Sequence, residues 1–193
     1  MKELFSHLRG AIMSTLVLVA VCCGLYPLIV FGIAQTVFRD KANGSLIVDK
    51  EGTVRGSKLL GQGFTADKYF HPRPSAAGNG YDATNSSGSN FGPTSQKLND
   101  AIKDRLAAYR KENELKDTDP VPADAVTASG RGLDPHISVR NAELQVSRVA
   151  KARGLDPQKV RALIRQYTDN ADFGLLGDPG VNVLRLNLAM EGL

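Results

Sequence analysis

Few residues in this chain have the type and spacing that chemistry needs. Asp49-Lys50-Glu51-Gly52-Thr53 differs at one position from D-K-T-G-T, the loop in which an aspartate accepts a phosphoryl group from ATP. Such an aspartate is served by separate nucleotide-binding and actuator domains, and 193 residues leave no room for them. The string therefore reads as a turn. A glycine-rich phosphate loop feeding a helix is absent; Gly56-Ser57-Lys58 comes closest but lacks the upstream glycine. The histidines His7, His71 and His136 lie far apart with no ligand-spaced pair, which argues against a metal site. His71 begins His71-Pro72-Arg73-Pro74 and His136 follows Asp134-Pro135, so each is expected to brace a turn through a hydrogen bond. Ser14, Ser57 and Ser129 sit in no nucleophile elbow. Asn43-Gly44-Ser45 and Asn85-Ser86-Ser87 fit the glycosylation pattern, a short motif that chance supplies often.

Charge and thiols exclude further classes. The formal net charge is +4, but basic and acidic residues interleave along the whole length, with no like-charged run to track a phosphate backbone, so nucleic acid is not an expected partner. Cys22 and Cys23 are the only cysteines and lie together in an apolar segment. The remainder has no thiol for a disulfide framework, which is compatible with an exported domain.

That apolar segment decides the class. From Gly10 to Phe38 there are 29 residues without a charge, whereas a helix needs only about 20 to cross a bilayer. Backbone polar groups must pair internally in lipid, so the span must be helical; Gly24, Pro27 and Gly32 are expected to bend it without stopping it. Lys2 and Arg9 precede it with only Glu3 opposing, while Arg39 and Lys41 follow with Asp40 between them, a balance favouring a cytoplasmic N-terminus. The expected division is a cytoplasmic tail over 1–9, a transmembrane helix over 10–38 and an extracytoplasmic soluble domain over 39–193. This topology also puts Asp49 on the side without ATP. A cleavable signal would have an apolar core of about 7 to 15 residues, shorter than this one. A lipoprotein cysteine would need a small residue before it, where Val21 stands. Ala20 and Gly24, continued by Pro27, form a small-residue face that either receives a neighbouring helix or fronts lipid.

In the soluble part, Ser45–Lys50 and Lys58–Gln62 read as short strands about a turn over 51–56. Residues 61–93 are rich in Gly, Ser, Asn and Pro, but Phe64, Tyr69, Phe70, Tyr81 and Phe91 are spaced through them. Disordered tracts are poor in aromatics, so an ordered irregular region is expected. A helix follows Thr94 or Ser95, with Leu98, Ile102, Leu106 and Tyr109 on one face; an extended piece is expected over Ala125–Ala128. Ser138 should cap a helix burying Val139, Ala142, Val146, Val149 and Ala150 and ending at Gly154. Asp156-Pro157 should open another, burying Val160, Leu163, Ile164 and Tyr167. Val181–Met190 alternates like a strand but changes phase after Val183, and helical spacing fits it better. Nothing alternates strand with helix as a parallel sheet requires, so the predicted fold class is α+β: one N-terminal transmembrane helix and a small extracytoplasmic domain.

Strings in order along nearly the whole chain resemble the KdpC family. They are Gly24-Leu25-Tyr26-Pro27-Leu28, Ala42-Asn43-Gly44-Ser45-Leu46-Ile47, Gly61-Gln62-Gly63-Phe64, Tyr69-Phe70-His71-Pro72-Arg73-Pro74-Ser75 and Ser86-Ser87-Gly88-Ser89-Asn90. Thr127-Ala128-Ser129, Gly132-Leu133-Asp134-Pro135-His136-Ile137-Ser138, Gln145 with Arg148-Val149-Ala150, and Val181-Asn182-Val183-Leu184 continue the series. Arg131 departs from the small residue usual before Gly-Leu-Asp-Pro-His, and Val139 from the common proline after Ile-Ser.

The resemblance implies an accessory, non-catalytic subunit of a bacterial potassium pump. A channel-like subunit binds potassium, a P-type ATPase subunit hydrolyses ATP, and this chain holds no tightly bound cofactor. The family has been described as a catalytic chaperone that raises the ATP affinity of the hydrolysing subunit, with the glutamine matching Gln145 touching nucleotide. A cytoplasmic N-terminus puts Gln145 across the bilayer from ATP, so a simpler expectation is a domain docked on the extracytoplasmic face of the channel-like subunit, any effect on ATP being indirect. Residues 61–93 and the turn over 132–138 are the candidate docking surfaces, with Tyr69, Phe70, Arg73, Asn90, Leu133, Asp134 and His136 as contacts; their other role is to shape the domain's own loops. The competing class is an independent membrane-anchored binding module or enzyme.

Overall fold

A computed structural model of the chain describes residues 2–192, with side chains from residue 7 onward. Met1, Leu193 and the side chains of residues 2–6, including the charges of Lys2 and Glu3 in the tail, lie outside the described residues. Two compact units divide after residue 46.

The first unit is built on one continuous helical run. Helix α1 (Lys2–Val19) passes through a π-helical turn (Ala20–Leu25) into α2 (Tyr26–Val37), and the stretch His7–Val37 is long and apolar enough to cross a membrane. The π turn has a local cause. Pro27 lacks an N–H, and its ring presses on the carbonyl four residues back, so the helix widens just ahead of it, with the Tyr26 N–H bonding the Val21 carbonyl. The run continues through the glycine and proline positions without being broken. Ser14, Thr15 and Thr36 return their hydroxyls to the carbonyls of Gly10, Ala11 and Gly32, as polar groups must where water is excluded. A short helix, α3 (Arg39–Ala42), closes the unit.

Next in the chain is a two-stranded sheet, β1 (Leu46–Val48) and β2 (Val54–Ser57). The second strand expected over 58–62 therefore lies earlier. Asp49 shortens the turn by accepting hydrogen bonds from the Glu51 and Thr53 amides at 3.1 and 2.7 Å, which starts the return strand at Val54. Residues 61–93 contain neither strand nor helix, as expected. Helix α4 (Gln96–Glu112) follows, with Ser95 at its N-cap position. The extended piece expected over 125–128 is instead led by a helical turn, α5 (Ala123–Val126), which buries Ala125 and Val126 and aims Asp124 at the Ser138 amide. Propensity over so few residues is weak; this contact decides the local conformation.

Helix α6 (Val139–Arg153) begins and ends where its caps predict, and α7 (Pro157–Gln166) begins where its cap predicts. Ser138 Oγ accepts from the Asn141 amide, Gly154 ends α6 in the left-handed conformation at φ +64°, and Asp156 accepts from the Gln158 amide. The phase change after Val183 marks a real junction: strand β5 (Gly180–Asn182) gives way to α8 (Val183–Glu191), with Asn182 as N-cap. Strand β5 is the centre of an antiparallel sheet between β3 (His136–Ser138) and β4 (Thr168–Asp169), so Val181 faces both Ile137 and Thr168. Strands this short carry no readable periodicity. The fold class is α+β, as predicted.

The main core joins Ala142, Val146, Val149 and Ala150 of α6 to Val160 and Ile164 of α7, Val183, Leu186 and Met190 of α8, and Ile137 and Val181 of the sheet. Phe70, from the irregular region, is fully buried among them. A smaller cluster packs Tyr109, Ala125 and Val126 with Ile102, Leu106 and Leu144. Burying each large side chain contributes about 1.5 to 3 kcal/mol, so the packing of Phe70 helps fasten its loop to the domain.

Candidate functional site

Helix α6 carries an apolar stripe and, beside it, a polar one: Asn141, Gln145 and Arg148, spaced by four and three residues and all buried. Buried polar groups must find partners, and these find the irregular segment over 67–71. Gln145 Oε1 accepts the His71 amide at 2.7 Å, and Gln145 Nε2 donates to the His71 carbonyl at 3.0 Å. The same amide group accepts from Arg148 Nη2 at 2.8 Å and donates to Asn141 Oδ1 at 2.9 Å. Both donor hydrogens of Gln145 are thereby used, and the residue is 1 % exposed.

Neighbouring side chains hold the rest of the segment. Arg148 Nη1 donates to the carbonyls of Asp67 and Tyr69, Arg153 Nε to that of Lys68, and Asn187 of α8 pairs with both backbone groups of Phe70 at 2.8 and 2.9 Å. Five consecutive residues without a ladder strand thus have side chains of α6 and α8 as their hydrogen-bond partners. Around them, Arg148 Nε reaches Asn113 Oδ1 at 3.1 Å and Glu112 at 3.3 Å, and His71 Nδ1 lies 2.5 Å from Glu112 Oε1. Burial pushes Glu112 up, but the His71 contact and the charges of His71 and Arg148 outweigh it and hold its carboxyl below the usual range. Asn141 extends the network to Asp124 and to the Tyr109 hydroxyl; burial, with the Asp124 charge, pushes that phenol well up. A cleft of about 570 Å³ opens beside this network, lined by Asp67, Lys111, Glu112, Glu114, Arg148 and Lys151, without Gln145.

The other predicted contacts fall into three groups. Phe70 and Leu133 are core residues. Arg73 and Asp134 are half-buried and paired at 3.0 Å, Asp134 also accepting the His136 amide, while His136 Nε2 meets Asp169 at 2.9 Å. Tyr69 is partly exposed, packed at a tilt against Phe64 and under Lys68 and Arg153; Asn90 is exposed at φ +52°. Gly132 shows why this turn needs glycine: its φ is +73°, and a Cβ would come within 2.7 Å of Ala77 and the Ser87 carbonyl. On the span, Ala20 and Gly24 lie in the π turn and Pro27 in the first turn of α2. Asp49 gives its second oxygen to Arg55 Nε at 2.6 Å, so the phosphoryl-acceptor look-alike closes a turn with both oxygens. Among the described residues no group of His, Cys, Asp and Glu is arranged to hold a metal ion.

Sequence reasoning singled out Gln145 but gave no site role to Asn141, Arg148, Arg153 or Asn187, the side chains that with it hold the network to the irregular segment. A signal was present: a polar stripe at helical spacing directly flanking an apolar one.

One candidate membrane span among the described residues, followed by an α+β unit whose buried polar residues hold its own irregular loops, defines the class. The family described as "K+-transporting ATPase, c chain" matches residues 8–192. Proteins named "Potassium-transporting ATPase KdpC subunit" are similar throughout. That of Mycobacterium tuberculosis is 54% identical over 187 residues, 97% of this chain and 98% of that protein. That of Nitratidesulfovibrio vulgaris is 50% identical over 186 residues, 96% and 93% of the two chains. That of Koribacter versatilis is 47% identical over 186 residues, 96% and 94%. The chain belongs to the KdpC family.

Proposed function

We propose that this chain serves an ATP-driven potassium uptake pump as its accessory subunit rather than its catalytic one. The span anchors it in the cell membrane with the N-terminus cytoplasmic, and the face containing Ala20, Gly24 and Pro27 packs against an integral subunit, with lipid around the rest. The soluble domain lies outside the cytoplasm and docks on the channel-like, potassium-binding subunit, while the P-type ATPase subunit hydrolyses ATP. Tyr69, Arg73, Asn90, Asp134 and His136 offer it surface; Phe70 and Leu133 act by holding that surface in shape.

The catalytic-chaperone role belongs to the same reading in an indirect form. Docking favours one conformation of the complex, and the hydrolysing subunit binds ATP more tightly in that conformation. A single observation carries this choice. Gln145 is buried and its amide is bonded to His71, Asn141 and Arg148, so a nucleotide could reach it only by breaking the domain's own network.

Purification of the whole complex in mild detergent tests the reading. A stoichiometric assembly with two larger membrane subunits is expected; a lone chain with a ligand or activity of its own would support an independent module instead. Protease added to intact spheroplasts should remove the soluble domain, and protection would overturn the orientation.

A further inference from the structure

Between β4 and β5 the chain makes a loop that uses none of its large apolar residues for the core. Phe173, Leu175 and Leu176 are 94 %, 87 % and 64 % exposed, three apolar side chains within four residues. Scattered exposed apolar residues are ordinary, whereas a group at the tip of one loop is not. The loop is also closed on itself. Asp172 and Leu176 exchange backbone hydrogen bonds at 2.9 Å in both directions, and the amides of Gly174 and Leu175 bond the carbonyls of Ala171 and Asp172. Phe173 takes φ +55°, a left-handed conformation that side chains other than Gly, Asn and Asp rarely adopt. The stem is fixed by β4 and by Asp169, which pairs with both His136 and Arg185. A defined backbone therefore holds three apolar side chains out in water.

We infer that this loop is a docking plug for an apolar socket, rimmed by basic residues, on another protein subunit of the pump. Charge selects this occupant. From Thr168 to Leu184 the chain has Asp169, Asp172 and Asp178 and no lysine or arginine. Asp172 and Asp178 form no ion pair among the described residues. An anionic lipid surface would repel such a loop, and it has no Trp or Tyr to settle at a membrane interface. A two-fold contact between copies of this chain would set the acidic flanks against each other. A socket with a basic rim satisfies both the apolar tip and the free carboxylates, and a preformed loop loses little conformational freedom on entering it.

The proposal rests on the subunit reading, and one experiment separates the two. p-Benzoylphenylalanine replaces Leu175 in the full chain, co-expressed with the other subunits of the K+-transporting ATPase and irradiated in native membranes; the complex is then recovered in mild detergent. The expected result is an adduct with one of those subunits, mapping beside lysine or arginine. Adding Phe173→Asp should lower its yield by about tenfold or more without lowering the thermal midpoint of the chain, because Phe173 packs against nothing. An adduct with lipid alone, an adduct with a second copy, or no adduct within a recovered complex overturns the plug while leaving the subunit reading standing. Failure to recover any complex overturns both.

Discussion

Two irregular segments of the second unit solve the same problem in opposite ways. Over 67–71, the hydrogen-bond partners come from side chains of α6 and α8, and Phe70 fills the core. Over 171–176, the loop closes on itself through four backbone hydrogen bonds and the apolar side chains face water. Lack of regular structure is thus compatible with either rigid attachment or presentation to a partner. What separates them is the destination of the polar backbone groups and the apolar side chains, not the amount of strand or helix.

The contrast is most strongly tested at Gln145. Gln145→Ala removes both backbone hydrogen bonds of His71 and leaves Arg148 and Asn141 each short of one, so chemical denaturation of the chain in detergent should show a loss of about 3 kcal/mol or more. A loss under about 0.5 kcal/mol would mean that the Gln145 hydrogen bonds contribute nothing to holding the segment. Asn187→Ala, which strips only Phe70, should cost about 2 kcal/mol in the same measurement.

Acid gives a milder probe of the pinned segment. Glu112 is held below its ordinary value of 4.5, so the stability it contributes is complete above that pH and lost as pH falls through the lower folded value. Thermal midpoints followed from pH 6 to 3 should fall, and the drop should be smaller in Glu112→Gln. At the other segment, Phe173→Ser with Leu175→Ser should leave unfolding within about 0.5 kcal/mol of the parent chain, since neither side chain is buried. A larger loss would mean the loop packs against the domain after all.

How much of this was legible beforehand follows from the physics of each part. The span, the cap-bounded helices α6 and α7 and the α4 face could be read because their signals are local: an uncharged run, Ser138, Gly154, Asp156-Pro157, apolar residues at helical spacing. Strands β3, β4 and β5 could not, because they are two or three residues long and exist through pairing across the domain. The strand expected at 58–62 was misplaced because Asp49 closes its turn with a side chain, a contact that spacing does not reveal. At the site, Gln145 stood out through its family resemblance, while its use depends on a loop 74 residues away in sequence. The tip at Phe173 has no periodicity, so only its exposure distinguishes it.

The central claim is that Gln145 supports the shape of the domain and reaches ATP only through the complex. It is tested most directly by the KM for ATP of the purified complex carrying Gln145→Ala or Asn187→Ala, with the thermal midpoint of each variant measured alongside. The account predicts that any rise in KM accompanies a lowered midpoint and occurs in both variants, although Asn187 pairs with Phe70 and not with Gln145. A raised KM in Gln145→Ala alone, at an unchanged midpoint, would contradict it.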